Sequence, residues 1–241
     1  IVFVTRYLLP IVRHLKELDE RGYHYYFLYT VMNNPRSIDL KSPSLETSLR
    51  TFCELAERLG SERVIWRYDP IFLTTATPVG FHLKSYQQIA QRLRGYTNRS
   101  IISVATIYRK VERRLQSLRG KGVQLLGVTG ESMEGLIRGI SKMAHESDME
   151  IFSCAQEVDF SLCGILPGGC IDSDYMEKVF GITVTRRKDP SQRNACRCVV
   201  SKDIGGYDTC LFNCSYCYAT TSFDRASASF KKHDPNAPSL V

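Results

Sequence analysis

The sequence predicts an α/β fold: a (β/α) barrel-like parallel sheet followed by a C-terminal cysteine-rich segment. Two observations point there. Apolar stretches of strand length begin near residues 23, 63, 100 and 149, with helical patterns between them. That alternation builds parallel sheets with helices outside, as a barrel or a doubly wound sheet. After Ala155 the chain turns to loops richer in Gly and Pro, which hold most of the nine cysteines. Residues 1–156 therefore read as a partial TIM-like barrel domain. Residues 157–241 read as a loop-rich cysteine segment capping it.

The elements follow in order. Pro10 opens a helical stretch with Val12, Leu15 and Leu18 on one side, and Gly22 stops it. "YHYYFLYTV" (Tyr23–Val31) is almost continuously apolar and aromatic, as in a strand buried on both faces. Ser42-Pro43 opens a helix carrying Leu45, Leu49, Phe52 and Leu59, closed by Gly60. "RVIWRYDPIFL" (Arg63–Leu73) is a strand broken by Pro70, and a helix around Leu83–Leu93 follows. Next come strand "SIISVAT" (Ser100–Thr106) and a basic helix to Leu118. "VQLLGVTG" fits a strand or an irregular loop. "ESMEGLIRGISKMAHE" is helical, "MEIFSCA" (Met149–Ala155) is a strand, and Ser173–Phe180 is a short helix.

Composition narrows the class. At 43% hydrophobic and 24% charged residues, neither disorder nor a fibrous fold is expected. No apolar run reaches the ~20 residues that span a bilayer. The opening "IVFVTRYLLPIV" is interrupted by Arg6 and Pro10 and lacks the marks of a signal peptide. A cytoplasmic protein without a membrane partner is expected. The chain does not begin with Met, so it reads as an internal fragment or a processed chain. Its net charge is 32 − 25 = +7. Basic runs stand at Arg109, Lys110, Arg113, Arg114 and Arg119, and at Arg186–Lys188. They suit a solvated surface or attraction to a polyanion such as nucleic acid, and charge alone does not decide.

The cysteines carry the sharper signal. Five of nine lie between Cys196 and Cys217, which in a long, well-cored chain points to metal or redox chemistry. "YDTCLFNCSYCYA" places Cys210, Cys214 and Cys217 within eight residues. Three thiolates are one short of a closed zinc site, and three on a 4Fe–4S cluster leave one iron open. Gly205 and Gly206 upstream permit tight turns and close backbone approach. Cys196 and Cys198 form a second pair that Cys170 and Cys154 could complete. That group would be an auxiliary iron–sulfur cluster, a structural zinc site or ordinary buried thiols. Cys53 and Cys163 receive no role.

In "WRYDP", the two-residue period puts Arg67 and Asp69 on one face and Trp66 and Tyr68 on the other. If the aromatics pack on helices, Arg67 and Asp69 point into the barrel. There they bind a cofactor or substrate, or form an internal ion pair. Glu157 follows the strand ending in Cys154, where barrel chemistry sits, although a solvated loop carboxylate is the plainer alternative. No Ser/His/Asp set, paired-histidine ligand spacing or Walker-type loop is present.

The stretch C-x-x-x-C-x-aromatic-C, carried by Cys210, Cys214, Tyr216 and Cys217, resembles the cluster motif of radical S-adenosylmethionine enzymes. More widely the chain resembles an uncharacterised bacterial family, domain of unknown function eighteen-forty-eight. The likeness runs through "GYHYYFLYT", "RVIWRYDPI", "CID" at Cys170–Asp172, "CRC" at Cys196–Cys198, and "DIGGYDTC" into "CSYCYA". It implies that Cys210, Cys214 and Cys217 hold a 4Fe–4S cluster whose open iron binds S-adenosylmethionine. Gly205, Gly206 and Tyr216 would line the cofactor, and Arg67, Asp69 and Glu157 would be the catalytic candidates. An electron donor such as a flavodoxin or ferredoxin would be the partner. An "R-x-D-P" strand also occurs in radical enzymes resembling spore photoproduct lyase. Two departures stand out. The motif follows the last strand instead of the first, and the family's proteins begin with a further strand and helix. The barrel would then be incomplete at its N-terminal end, and its first strand would expose an edge that favours aggregation. A zinc-stabilised nucleic-acid-binding module and an iron–sulfur electron-transfer protein remain the other classes.

Overall fold

The computed structural model describes residues 1–105, 109–120, 122–127 and 129–237, without the side chains of Arg109 and Lys110. Six strands are β1 (Val2–Thr5), β2 (Tyr26–Thr30), β3 (Val64–Ile71), β4 (Arg99–Val104), β5 (Glu150–Cys154) and β6 (Leu166–Gly168). They lie side by side in chain order, every neighbouring pair parallel. Order without reversal is that of a barrel wall, whereas a doubly wound sheet reverses at a switch point. Among the described residues β1 and β6 each pair on one side, so the sheet is open.

All four strands expected from sequence are present, and β1 and β6 add to them. The expected break at Pro70 is corrected: β3 runs through it to Ile71, with a register shift between Tyr68 and Ile71. Proline lacks a ladder donor, and the shift lets the strand accommodate that loss. Pairing resumes where the Ala105 N–H donates to the Ile71 carbonyl at 2.9 Å. Thr106 lies outside the described residues. In "VQLLGVTG" the described residues form no strand; Leu125 makes one isolated bridge to Thr74.

The helices are α1 (Leu9–Val12), α2 (Leu15–Glu20), α3 (Leu45–Leu59), α4 (Val79–Leu93), α5 (Arg109–Arg119), α6 (Gly130–Glu146), α7 (Ser173–Phe180) and α8 (Phe223–Lys232). The stretch after Pro10 is thus two short helices rather than one. Ser44 caps α3 by accepting the Thr47 N–H, and Gly60 ends it at φ 92°, the left-handed side that glycine reaches freely.

The two faces of β2 pack differently. Phe27 and Tyr29, with Trp66 and Tyr68 of β3, belong to the main core with Phe52 of α3, Tyr86 and Ile89 of α4, and Ile140 of α6. Tyr26, Leu28, Ile65 and Ile101 pack on the opposite face against Tyr175 and Phe180 of α7. That helix is anchored by its cap. Asp172 accepts the Asp174 and Tyr175 N–H groups and pairs with Arg99 at 2.8 Å. The Arg99 guanidinium lies over the rings of Phe152 (3.9 Å) and Tyr175 (4.6 Å). The helix expected at Ser173–Phe180 therefore covers the face that α3, α4 and α6 leave open.

Candidate functional site

The loop holding Cys210, Cys214 and Cys217 meets residues just beyond the carboxyl ends of β1, β2 and β3. Arg6, one residue past β1, organises the contact. Its Nη1 donates to Cys214 Sγ (3.1 Å), Tyr216 Oη (2.9 Å) and Ser42 Oγ (3.2 Å). Its Nη2 donates to Asp39 Oδ2 at 2.9 Å. Asp39, in the loop after β2, also accepts from Tyr216 Oη and Asn34 Nδ2, each at 3.1 Å. Backbone pairing holds the register: Ser215 N–H donates to the Ile38 carbonyl at 2.9 Å, and Lys41 N–H to Phe212 at 3.0 Å. The Tyr216 ring lies 5.8 Å from Phe72, which follows β3.

Two further groups fix the loop. Arg114, on the basic helix α5, donates to the carbonyls of Cys217 (2.5 Å) and Thr220 (3.0 Å), and its guanidinium lies 5.2 Å from the Phe223 ring. Asp208 closes the neck. Its N–H donates to the Ala219 carbonyl at 3.0 Å, and its Oδ1 accepts from the N–H groups of Thr221 and Ser222. Asp208 and Asn213 take φ of 54° and 56°, the left-handed region that Asp and Asn tolerate best among non-glycine residues. Gly205 and Gly206, expected to supply that freedom, do not have positive φ. They form a polar turn in which Gly205 N–H donates to Asp203 Oδ1 at 2.8 Å.

The three sulfurs face different partners. Cys214 is buried against Arg6 and Ser42, Cys217 Sγ reaches Thr220 Oγ1 at 3.6 Å, and Cys210 is exposed. Burial, with Asp39 nearby, pushes the Cys214 thiol up to about 12, against the pull of Arg6. Among the described residues no three Cys, His, Asp or Glu side chains gather into a preformed metal site. Beside the loop lies a polar cavity of about 200 Å³ lined by Arg6, Thr30, Asn34, Arg36, Asp39 and Ser42. Asp39 Oδ1 and Asn34 Oδ1 are buried there without a hydrogen-bond partner, two acceptors suited to a ligand that donates.

Among the described residues, the cysteines of the second group pack against one another without forming a preformed metal site. Cys154 ends β5, Cys170 lies two residues past β6, and their sulfurs are 3.3 Å apart. Cys196 and Cys198 pack against both, with Ala155 and Ile171. Nearby, Arg67 and Asp69 form the internal ion pair, and Ser103 Oγ donates to Asp69 Oδ1. Trp66 and Tyr68 face the helices as expected, which leaves Arg67 and Asp69 on the other face. Glu157 is solvent-exposed three residues beyond β5. Of the basic runs, Arg186 pairs with Asp174 (3.2 Å) and Glu177 (2.8 Å), and Lys188 donates to the Asn194 carbonyl. Arg113 and Arg119 are exposed.

Sequence reasoning missed Arg6, Asp39 and Arg114 as site residues. Arg114 was visible only as one charge in a basic run. Arg6 and Asp39 are far from the cysteines in sequence and carried no signal of their own.

Fold and site together define the class: a parallel α/β protein with its cysteine loop seated on the carboxyl edge of the sheet. The chain belongs to the family described as domain of unknown function (DUF1848), whose model matches residues 1–219 and so ends just beyond the third loop cysteine. No curated protein matches the chain. No helix among the described residues is long and apolar enough to cross a membrane.

Proposed function

We propose that this chain is a radical S-adenosylmethionine-like iron–sulfur enzyme, its wall a partial (β/α) barrel and its cluster held by Cys210, Cys214 and Cys217. The observation that carries the reading is where the loop lies. Although it follows the last strand, it sits over the carboxyl ends of β1–β3, the edge where parallel α/β sheets bind ligands. The donors suit the group in kind, three soft thiols on one short loop, although among the described residues they are not gathered into a preformed site. The unpaired acceptors Asp39 Oδ1 and Asn34 Oδ1 line the adjoining cavity and suit the amino or hydroxyl donors of such a cofactor.

Cys210, Cys214 and Cys217 would hold the cluster, which would supply the reducing electron for radical chemistry on S-adenosylmethionine. The protein's part is positional. Arg6 sets a cation 3.1 Å from Cys214 Sγ, which favours the anionic sulfur a metal requires. Asp39 holds Arg6, and Arg114 holds the loop carbonyls. The Arg67–Asp69 pair and Glu157 stand farther along the same edge as the groups offered to a substrate. A cytoplasmic setting and a small flavodoxin- or ferredoxin-like electron donor complete the proposal.

The test is anaerobic reconstitution with iron and sulfide, followed by metal analysis and absorption spectra with and without S-adenosylmethionine. About four irons per chain, a spectrum that shifts with the cofactor, and loss of that iron in Cys214→Ala are expected. Iron content unchanged in Cys214→Ala, or a spectrum indifferent to S-adenosylmethionine, sinks the reading. Zinc bound by the loop cysteines with nucleic-acid affinity would favour the binding module instead.

A further inference from the structure

Four cysteines far apart in sequence meet beside β5 and β6. Cys154 Sγ lies 3.3 Å from Cys170 Sγ. Cys196 and Cys198 pack against both. Two backbone donors also point at sulfur: Ile171 N–H at Cys198 (3.4 Å) and Cys198 N–H at Cys196 (3.5 Å). A separate feature shows that the meeting is built. The Val199 N–H donates to the Ile171 carbonyl at 3.0 Å, and a Cβ on Gly169 would lie 3.0 Å from the Arg197 carbonyl oxygen. Glycine at 169 thus admits the crossing loop to contact distance.

We propose that Cys154, Cys170, Cys196 and Cys198 form a closed tetrathiolate site for a single zinc ion, which ties the loop around Cys196–Cys198 to the β5–β6 edge. Size favours zinc over a second cluster. With Zn–S near 2.3 Å, the edge of a tetrahedron of sulfurs is about 3.8 Å. The 3.3 Å contact is close to that, whereas a 4Fe–4S cube must fit four irons and four sulfides between its thiolates. Among the described residues the four sulfurs are not gathered into a preformed site, so binding draws them together around the ion. Four thiols lose their protons as zinc binds. With four protein ligands the site has no open position and is structural. It stands independently of the reading given to Cys210, Cys214 and Cys217.

The test is metal analysis of the full chain purified without added metal, on wild type and two variants. About one zinc per chain is expected in wild type and in Cys210→Ser/Cys214→Ser/Cys217→Ser. A loss of at least tenfold is expected in Cys196→Ser/Cys198→Ser. Should that variant fail to fold, cobalt(II) titration of the chelator-stripped wild type decides: one equivalent must give the ligand-field and charge-transfer bands of a tetrathiolate centre. No zinc in wild type, zinc lost with the 210/214/217 set, iron and sulfide lost with the 196/198 pair, or a Cys154–Cys170 disulfide in protein prepared anaerobically would each overturn the site. Because zinc and iron are counted on separate variants, this proposal and the radical-enzyme reading fail separately.

Discussion

Arg6 bonds four side chains through one guanidinium, and it does so with little water to share the charge: its side chain is 17% exposed and that of Asp39 4%. Removing one partner of such a pair leaves the other charge buried. Arg6→Ala should therefore cost about 3 kcal/mol, the lower end for breaking a buried pair. Arg186 offers the contrast. At 67% exposure its pairs with Asp174 and Glu177 are solvent-screened, and Arg186→Ala should cost less than about 1 kcal/mol. Urea unfolding of the two variants measures the difference, and equal losses would remove Arg6 from its central place. Neither magnitude was legible in sequence. Arg6 stands 208 positions from Cys214, and nothing local separates a clamp from any other arginine. Cys210, Cys214 and Cys217 were legible because thiols at that density are rare and their spacing is chemical.

At the scale of elements, local chemistry explains most of what could be read. The end of α3 was marked by Gly60, and β2 showed its burial as an unbroken apolar run. What failed did so where one pattern serves two structures. The opening apolar residues hold β1 and α1 in succession, and a short apolar run does not distinguish strand from helix. The same scale yields opposite expectations for two glycines. Gly135 is exposed within α6, and a Cβ there meets nothing within 4 Å. Gly135→Ala should stabilise the protein by about 0.8 kcal/mol through helix propensity alone. Gly168 in β6 has no such room: its Cβ would come within 2.8 Å of Phe152 Cβ, an atom fixed to the β5 backbone. Gly168→Ala should cost about 1–3 kcal/mol by overpacking. Shifts of the thermal midpoint in opposite directions are the expected result; a rise in both would mean that the β5–β6 contact is not tight.

For the molecule as a whole, acid should act through the helix-side core. Buried His82 accepts from Tyr68 Oη at Nδ1 (2.9 Å) and approaches the Phe72 carbonyl through Nε2 (3.3 Å). Burial, only partly opposed by that carbonyl, pushes its pKa from 6.5 down to about 4. The unfolded chain then takes up a proton below pH 6.5 that the folded chain refuses until about pH 4. The stability this confers at neutral pH is lost as pH falls through that window, by about 3 kcal/mol. Unfolding free energies of wild type and His82→Gln, compared between pH 7 and 4, should show the variant losing correspondingly less; parallel curves would exclude His82 as the cause. By itself the sequence determined the βα alternation, the parallel sheet, the shared face of Arg67 and Asp69, and the family, because periodicity and residue spacing are local properties of the chain. Only the tertiary structure decided the order of six strands, the seat of the cysteine loop on Arg6 and Asp39, its clamping by Arg114, and the meeting of Cys154 and Cys170 with Cys196 and Cys198. Those contacts join positions tens to hundreds of residues apart, and they form only when burial of the shared core brings the carboxyl ends of the strands together.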